Sequence, residues 1–135
     1  MKEIIGKSYN PGKAEGEAIV FETGFSFIGD MSPTTGEVTM ARHPHFGKSL
    51  KDKVLIFRTG RGGTIAPYML YYAKKNGVAP CAILCDKVDM LTLECALTVD
   101  IPILDGAGHT FTTEIGTGSW VEIDGDLCKI KPAKD

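Results

Sequence analysis

Apolar residues in this chain come in short runs separated by glycine, proline and small polar residues. Residues 17–22 (EAIVFE) predict a strand after the turn-rich stretch YNPGKAEG. FSFIGDMSPTTGEV follows, with Gly29-Asp30 and Ser32-Pro33 marking a loop and GEVTM a short strand. Residues 53–57 (KVLIF) form a continuous apolar run without alternation, the pattern of a strand covered on both faces. From Ile65 the periodicity changes: Ile65, Met69, Tyr72 and Ala73 recur at helical spacing, and Gly77 is placed to stop the helix. APCAILC predicts a second buried strand, residues 88–99 a helix, and IPIL a short strand after it. GSWVEIDGDLCKI predicts a closing hairpin around Asp124-Gly125.

The alternation of strand and helix across residues 53–104 implies a parallel βαβ layer, and the strands at both ends of the chain add a second β layer. The expectation is an α/β protein: one compact β/β/α domain over residues 1–135. The chain's 135 residues can bury a real core, and 43% hydrophobic with 24% charged residues are ordinary globular values. A net charge of -2 gives no reason to expect nucleic acid or an anionic membrane as partner. No apolar run reaches bilayer-spanning length, and the N-terminal stretch has no apolar core followed by a cleavage site, so the cytoplasm is the expected location. Cys81, Cys85, Cys95 and Cys128 include no CxxC pair. Two cysteines four residues apart on a strand stand about 13 Å apart, too far to chelate one metal. No metal is expected on this chain, and the cysteines read as buried small hydrophobes.

Candidate chemistry is concentrated in TGRGGT, residues 59–64, between a buried strand and a helix start. A glycine-rich turn there exposes backbone N–H groups that, with the helix dipole, favour an anion. Arg61 can add a bidentate grip on carboxylate or phosphate. Thr64 can cap the helix or offer its hydroxyl to a ligand, and Pro67 is tolerated in the first turn. The loop lacks the lysine of a phosphate-binding P-loop, and Ile65 sits where a dinucleotide fingerprint needs its last glycine. The loop alone leaves two readings open, an anion site and a tight turn that needs glycine for its dihedrals. HPHFG, residues 43–47, offers an imidazole at His43 or a surface turn. No complete nucleophile–base set is visible, which argues against an enzyme complete in itself.

The order of these motifs resembles the small subunit, or swivel domain, of the aconitase X family of hydro-lyases. The resemblance runs from about residue 10 to residue 126. It rests on FSFIGDMSPTTGEV, HPHFGKSLKDKVLIF, TGRGGT and NGVAPCAILCDKVDMLTLECALTVDIPILDG. The first is similar to the family's SFxGGxDPxTG, with Asp30 standing for the second glycine. The resemblance implies a swivelling domain similar in fold to the mobile fourth domain of aconitase. It also implies a large-subunit partner that carries an iron–sulfur cluster, and a small hydroxy-acid substrate such as mevalonate 5-phosphate or cis-3-hydroxy-L-proline. The small subunit would contribute a loop of the type GRGSS, whose first serine acts as the base.

By that resemblance Gly60, Arg61, Gly62, Gly63 and Thr64, with His43, are the substrate-binding residues. Gly63 falls where the family has its serine, and glycine has no proton-accepting side chain. Thr64 takes the role, the base comes from the large subunit, or the reaction differs. Thr64 is the best hydroxyl this chain offers. An alternative is a non-catalytic binding or regulatory subunit that has lost the serine. RGGTIAPYML also has the cadence of a phosphohistidine carrier domain, but the carrier histidine would fall at Pro67, which excludes phosphoryl carriage there.

Overall fold

In a computed structural model that describes residues 1–133, the chain forms β1 (Lys2–Ile5), β2 (Lys7–Asn10), β3 (Lys13–Phe21), β4 (Val54–Phe57), α1 (Ala66–Lys75), β5 (Ala82–Cys85), α2 (Met90–Val99), β6 (Ile103–Asp105), α3 (Phe111–Glu114), β7 (Trp120–Asp124) and β8 (Leu127–Lys131). The strand order is β1-β8-β7-β3-β4-β5-β6-β2. The second half of β3 pairs in parallel with β4, β4 with β5, and β5 with β6. This is the expected parallel layer.

Successive side chains on a strand point to opposite faces, which explains the unbroken apolar runs. Ile19, Leu55, Phe57, Ile83 and Cys85 pack on one side with Leu70 and Ala73 of α1 and Cys95 and Ala96 of α2. Ala18, Val20, Val54, Ile56, Ala82 and Leu84 pack on the other with Ile4, Val121, Ile123, Cys128 and Ile130. Every side chain of β4 and β5 is buried. Helices, parallel strands and an antiparallel layer thus make the expected β/β/α arrangement.

One long strand joins the two β layers. Residues Lys13 to Glu17 of β3 pair antiparallel with β7, and Ala18 to Phe21 pair with β4. The ends of the strand order, β1 and β2, are consecutive in the chain with only Gly6 between them. A Cβ at Gly6 would lie 2.6 Å from the Asp105 carbonyl oxygen, so the bend there needs glycine.

Three expectations are corrected. The stretch read as turn-rich holds the end of β2 and the start of β3, with the turn confined to residues 11–12. β1, β2 and the start of β3 are largely exposed, and their few apolar residues leave almost no period-two signal. GEVTM is no strand but a loop tied by single bridges, Met31 to Val38 and Glu37 to Ser49. The final hairpin turns at Gly125-Asp126, since Asp124 pairs with Leu127 and Gly125 has φ +60°.

Candidate functional site

The parallel strands end on one side of the molecule, and the loop after β4 lies there. It is held from two directions. Phe25 donates its N–H to the Thr59 carbonyl at 3.1 Å, and Arg61 donates its N–H to the Phe25 carbonyl at 3.0 Å. Gly60 lies under the start of α2 and donates its N–H to Asp89 Oδ1 at 2.8 Å. The other Asp89 oxygen accepts the Thr92 N–H at 3.1 Å and so caps α2. Any side chain at Gly60 would overlap the Thr92 hydroxyl. Burial alone would raise the Asp89 carboxyl. The Thr92 hydroxyl and N–H and the Gly60 N–H outweigh that and hold it below the ordinary carboxylate value.

Gly62 and Gly63 have φ +89° and +103°, a conformation that L residues with side chains rarely adopt. Ser26 donates its hydroxyl to the Gly62 carbonyl at 3.2 Å, and the Ile28 side chain fills the space that a Cβ at Gly63 would need. Two consecutive positive-φ glycines turn the backbone so that, among the described residues, the N–H groups of Gly62, Gly63, Thr64 and Ile65 find no acceptor. Such a run of donors ahead of a helix can hold an anion.

Arg61 stands beside these donors. One arm of its guanidinium, Nη2, pairs with Asp30 Oδ2, leaving the side chain half exposed. Thr64 is exposed and lines a groove of about 400 Å³ with Pro67, Tyr68, Tyr71 and Tyr72. Its expected capping role is corrected: the N-cap of α1 is Ile65, and no side chain bonds the helix start. A threonine one residue too early leaves its hydroxyl outside the first turn.

Gly60, Arg61, Gly62, Gly63 and Thr64 are thus contiguous, whereas His43 lies apart. His43 lines another cleft, of about 820 Å³, with Val20, Glu22, His45, Thr112 and Thr117, and that cleft includes none of residues 60–64. The His43 ring lies 5.0 Å from the Phe21 ring, and its Nδ1 accepts the His45 N–H at 3.0 Å. Beside it, burial lowers the pKa of His45, against the opposing effect of its bond from Nε2 to the Val20 carbonyl at 2.8 Å.

Sequence reading missed the residues that hold the loop: Ser26, Ile28, Asp30, Asp89 and Thr92. Asp89 ahead of an apolar helical run was a readable cap signal. Nothing local marks Ser26, Ile28 and Asp30 as the loop's neighbours.

No group of three or more His, Cys, Asp or Glu among the described residues could hold a metal. The four cysteines are free, and burial keeps their thiols protonated, with Cys81 pushed up to about 11 and Cys95 and Cys128 to about 12. These residues do not fit an iron–sulfur cluster. No helix among the described residues is long and apolar enough to cross a membrane.

Comparison with known proteins gives a consistent result. The family model described as aconitase X swivel domain matches residues 3–131. The phosphomevalonate dehydratase small subunit of Thermococcus kodakarensis is 36% identical over 133 residues, 98% of each chain. The protein of that name from Methanosarcina acetivorans is 35% identical over 98% of this chain and 95% of its own. The fold matches the crystal structure of Thermococcus kodakaraensis aconitase X in its holo-form, with a TM-score of 0.89 and 35% identity over 96% of this chain and 98% of that one. A UPF0107 protein solved by solution NMR matches with a TM-score of 0.87 and 29% identity over 96% of this chain and 98% of that one.

Proposed function

Because this chain belongs to the aconitase X swivel-domain family, we propose that it is the small subunit of a two-subunit hydro-lyase that dehydrates mevalonate 5-phosphate. The observation that carries the reading is the loop at residues 60–64. There a run of unpaired backbone donors and a half-exposed arginine stand together at the ends of the parallel strands. The substrate is a small anion, and the relatives that match over nearly the whole chain carry this activity in their names.

In this proposal the N–H groups of residues 62–65 and Arg61 bind an anionic group of the substrate. The Thr64 side chain, having released its own proton to solvent and held as an alkoxide by the same donors, takes the substrate's proton and becomes the hydroxyl again. His43, in a cleft of its own away from the loop, is proposed to contact the part of the substrate remote from that anionic group, with Nδ1 taken by the His45 N–H and Nε2 left to face a ligand. The departing hydroxide needs an acid, which this proposal assigns outside the loop. The large subunit supplies that acid and carries the iron–sulfur cluster expected of the family. The chain acts as a single domain over residues 1–135, in the cytoplasm.

A second reading, a non-catalytic regulatory subunit, is favoured by Gly63. Its φ of +103° and the Ile28 side chain over it leave no room for the base serine. The two readings separate in one experiment. The chain is co-expressed with the large-subunit protein that co-purifies with it from its native host. Mevalonate 5-phosphate and cis-3-hydroxy-L-proline are then offered to the complex. We expect dehydration of the first by the complex and none by the 135-residue chain alone. A stable complex without turnover would establish the regulatory reading.

A further inference from the structure

The contact between Arg61 and Asp30 joins the loop to a segment about thirty residues earlier, and it is built from the Asp30 side. Asp30 is only 7% exposed. Its Oδ2 accepts the Ser26 N–H at 2.9 Å as well as Arg61 Nη2. Its own carbonyl accepts the Thr39 N–H at 2.9 Å, so the carboxylate sits on a fixed backbone. The stem of Arg61 is constrained too. A Cβ at Gly24 would lie 2.5 Å from Arg61 Cγ and 3.1 Å from Cδ, so the absence of a side chain at Gly24 makes room for the arginine. An exposed arginine samples many rotamers, and a ligand that immobilises it bears that entropy. Here head and stem are already held.

We propose that Asp30 is a positioning residue for Arg61: it holds one arm of the guanidinium and presents the remaining donors in one orientation to the substrate's anionic group. A guanidinium carries five N–H donors in a rigid planar fork, so fixing one arm fixes the plane of the rest. Asp30 is buried and acts on substrate only through Arg61. The kinetic part of this inference rests on the function proposed above; the geometric part does not.

Two measurements test it. In the chain alone, the Arg61 guanidinium signals are followed by nitrogen-15 NMR and identified by their loss in Arg61→Ala. Wild type should show separate, slowly exchanging Nη signals, and Asp30→Asn, which keeps the shape and removes the charge, should merge them. In the complex with the large subunit, Asp30→Asn should raise KM for mevalonate 5-phosphate about tenfold. In the Arg61→Ala background the same change should alter KM less than twofold, because the residue it acts through is gone. Unaltered Arg61 signals in Asp30→Asn, or effects of the two substitutions that multiply, would overturn the proposal. Should Asp30→Asn fail to fold, Gly24→Ala displaces the Arg61 stem and must give the same merged signals and raised KM. A complex inactive on mevalonate 5-phosphate would sink the functional reading, while the NMR result alone would decide the role of Asp30.

Discussion

The two helices that cover the parallel layer begin in opposite ways. At α2, Asp89 accepts the Thr92 N–H on its side chain and the Leu93 N–H on its carbonyl, so the entry is closed by a side-chain cap. At α1, Ile65 offers no side-chain bond, Pro67 occupies the first turn, no acidic residue lies there, and the N–H groups just ahead are unpaired. The first four N–H groups of any helix lack helical partners, and the chain can satisfy them or leave them for a ligand. At α1 the first-turn N–H groups of Ala66, Tyr68 and Met69 bond the Gly63 and Ile65 carbonyls, so the donors left open to a ligand are those of residues 62–65 just ahead of the helix. The closed entry also supports the open one, since the carboxylate that caps α2 accepts the Gly60 N–H as well.

The contrast is tested first by removing the open entry's chemistry. Thr64→Val deletes the hydroxyl and keeps the shape. Turnover by the complex should fall by about 10²–10⁴, the usual cost of losing a general base. Thermal stability should stay unchanged, because no side chain caps α1. A near-normal rate would move the base to the large subunit. Arg61→Ala removes the charged donor and should cost about 2–5 kcal/mol, a loss in kcat/KM of roughly 30- to 4,000-fold. Unchanged kinetics would take Arg61 out of the site.

The closed entry should answer in stability instead. Asp89→Ala removes a cap and leaves the Gly60 N–H unpaired, so denaturant unfolding should show a loss of about 2–3 kcal/mol. The pH dependence follows the same carboxylate. Its pKa is depressed in the folded state, so its contribution is fully present above the ordinary carboxylate value, about 3.9, and is lost as pH falls through the lower folded value. Asp89→Asn should therefore flatten the decline in stability below about pH 4, measured by denaturant titration across that range. The smallest effect is expected at Gly63. Gly63→Ser places a side chain at φ +103° against Ile28 and should cost about 1–3 kcal/mol without raising turnover. Adding Ile28→Ala should recover part of that loss, and a gain in rate from Gly63→Ser alone would show the loop to be more adaptable than its geometry implies.

What the residue order determined by itself was local. The unbroken runs in Val54–Phe57 and Ala82–Cys85 marked strands buried on both faces, and Gly77, at φ +74°, marked the end of a helix. The glycines after β4 marked a special turn, because only glycine enters that region of backbone space at little cost. The spaced motifs pointed to the family. Tertiary structure decided the rest. β1 and β2 are exposed strands whose pairing with β8 and β6 supplies the order that their own residues do not signal. The α1 cap depended on a one-residue difference in where the helix begins. The loop's shape depends on Asp30 and Asp89, 31 and 29 residues away from Arg61 and Gly60. A side chain's periodicity is written next to it in the chain, whereas a hydrogen-bond partner across the fold exists only once the strands between have paired.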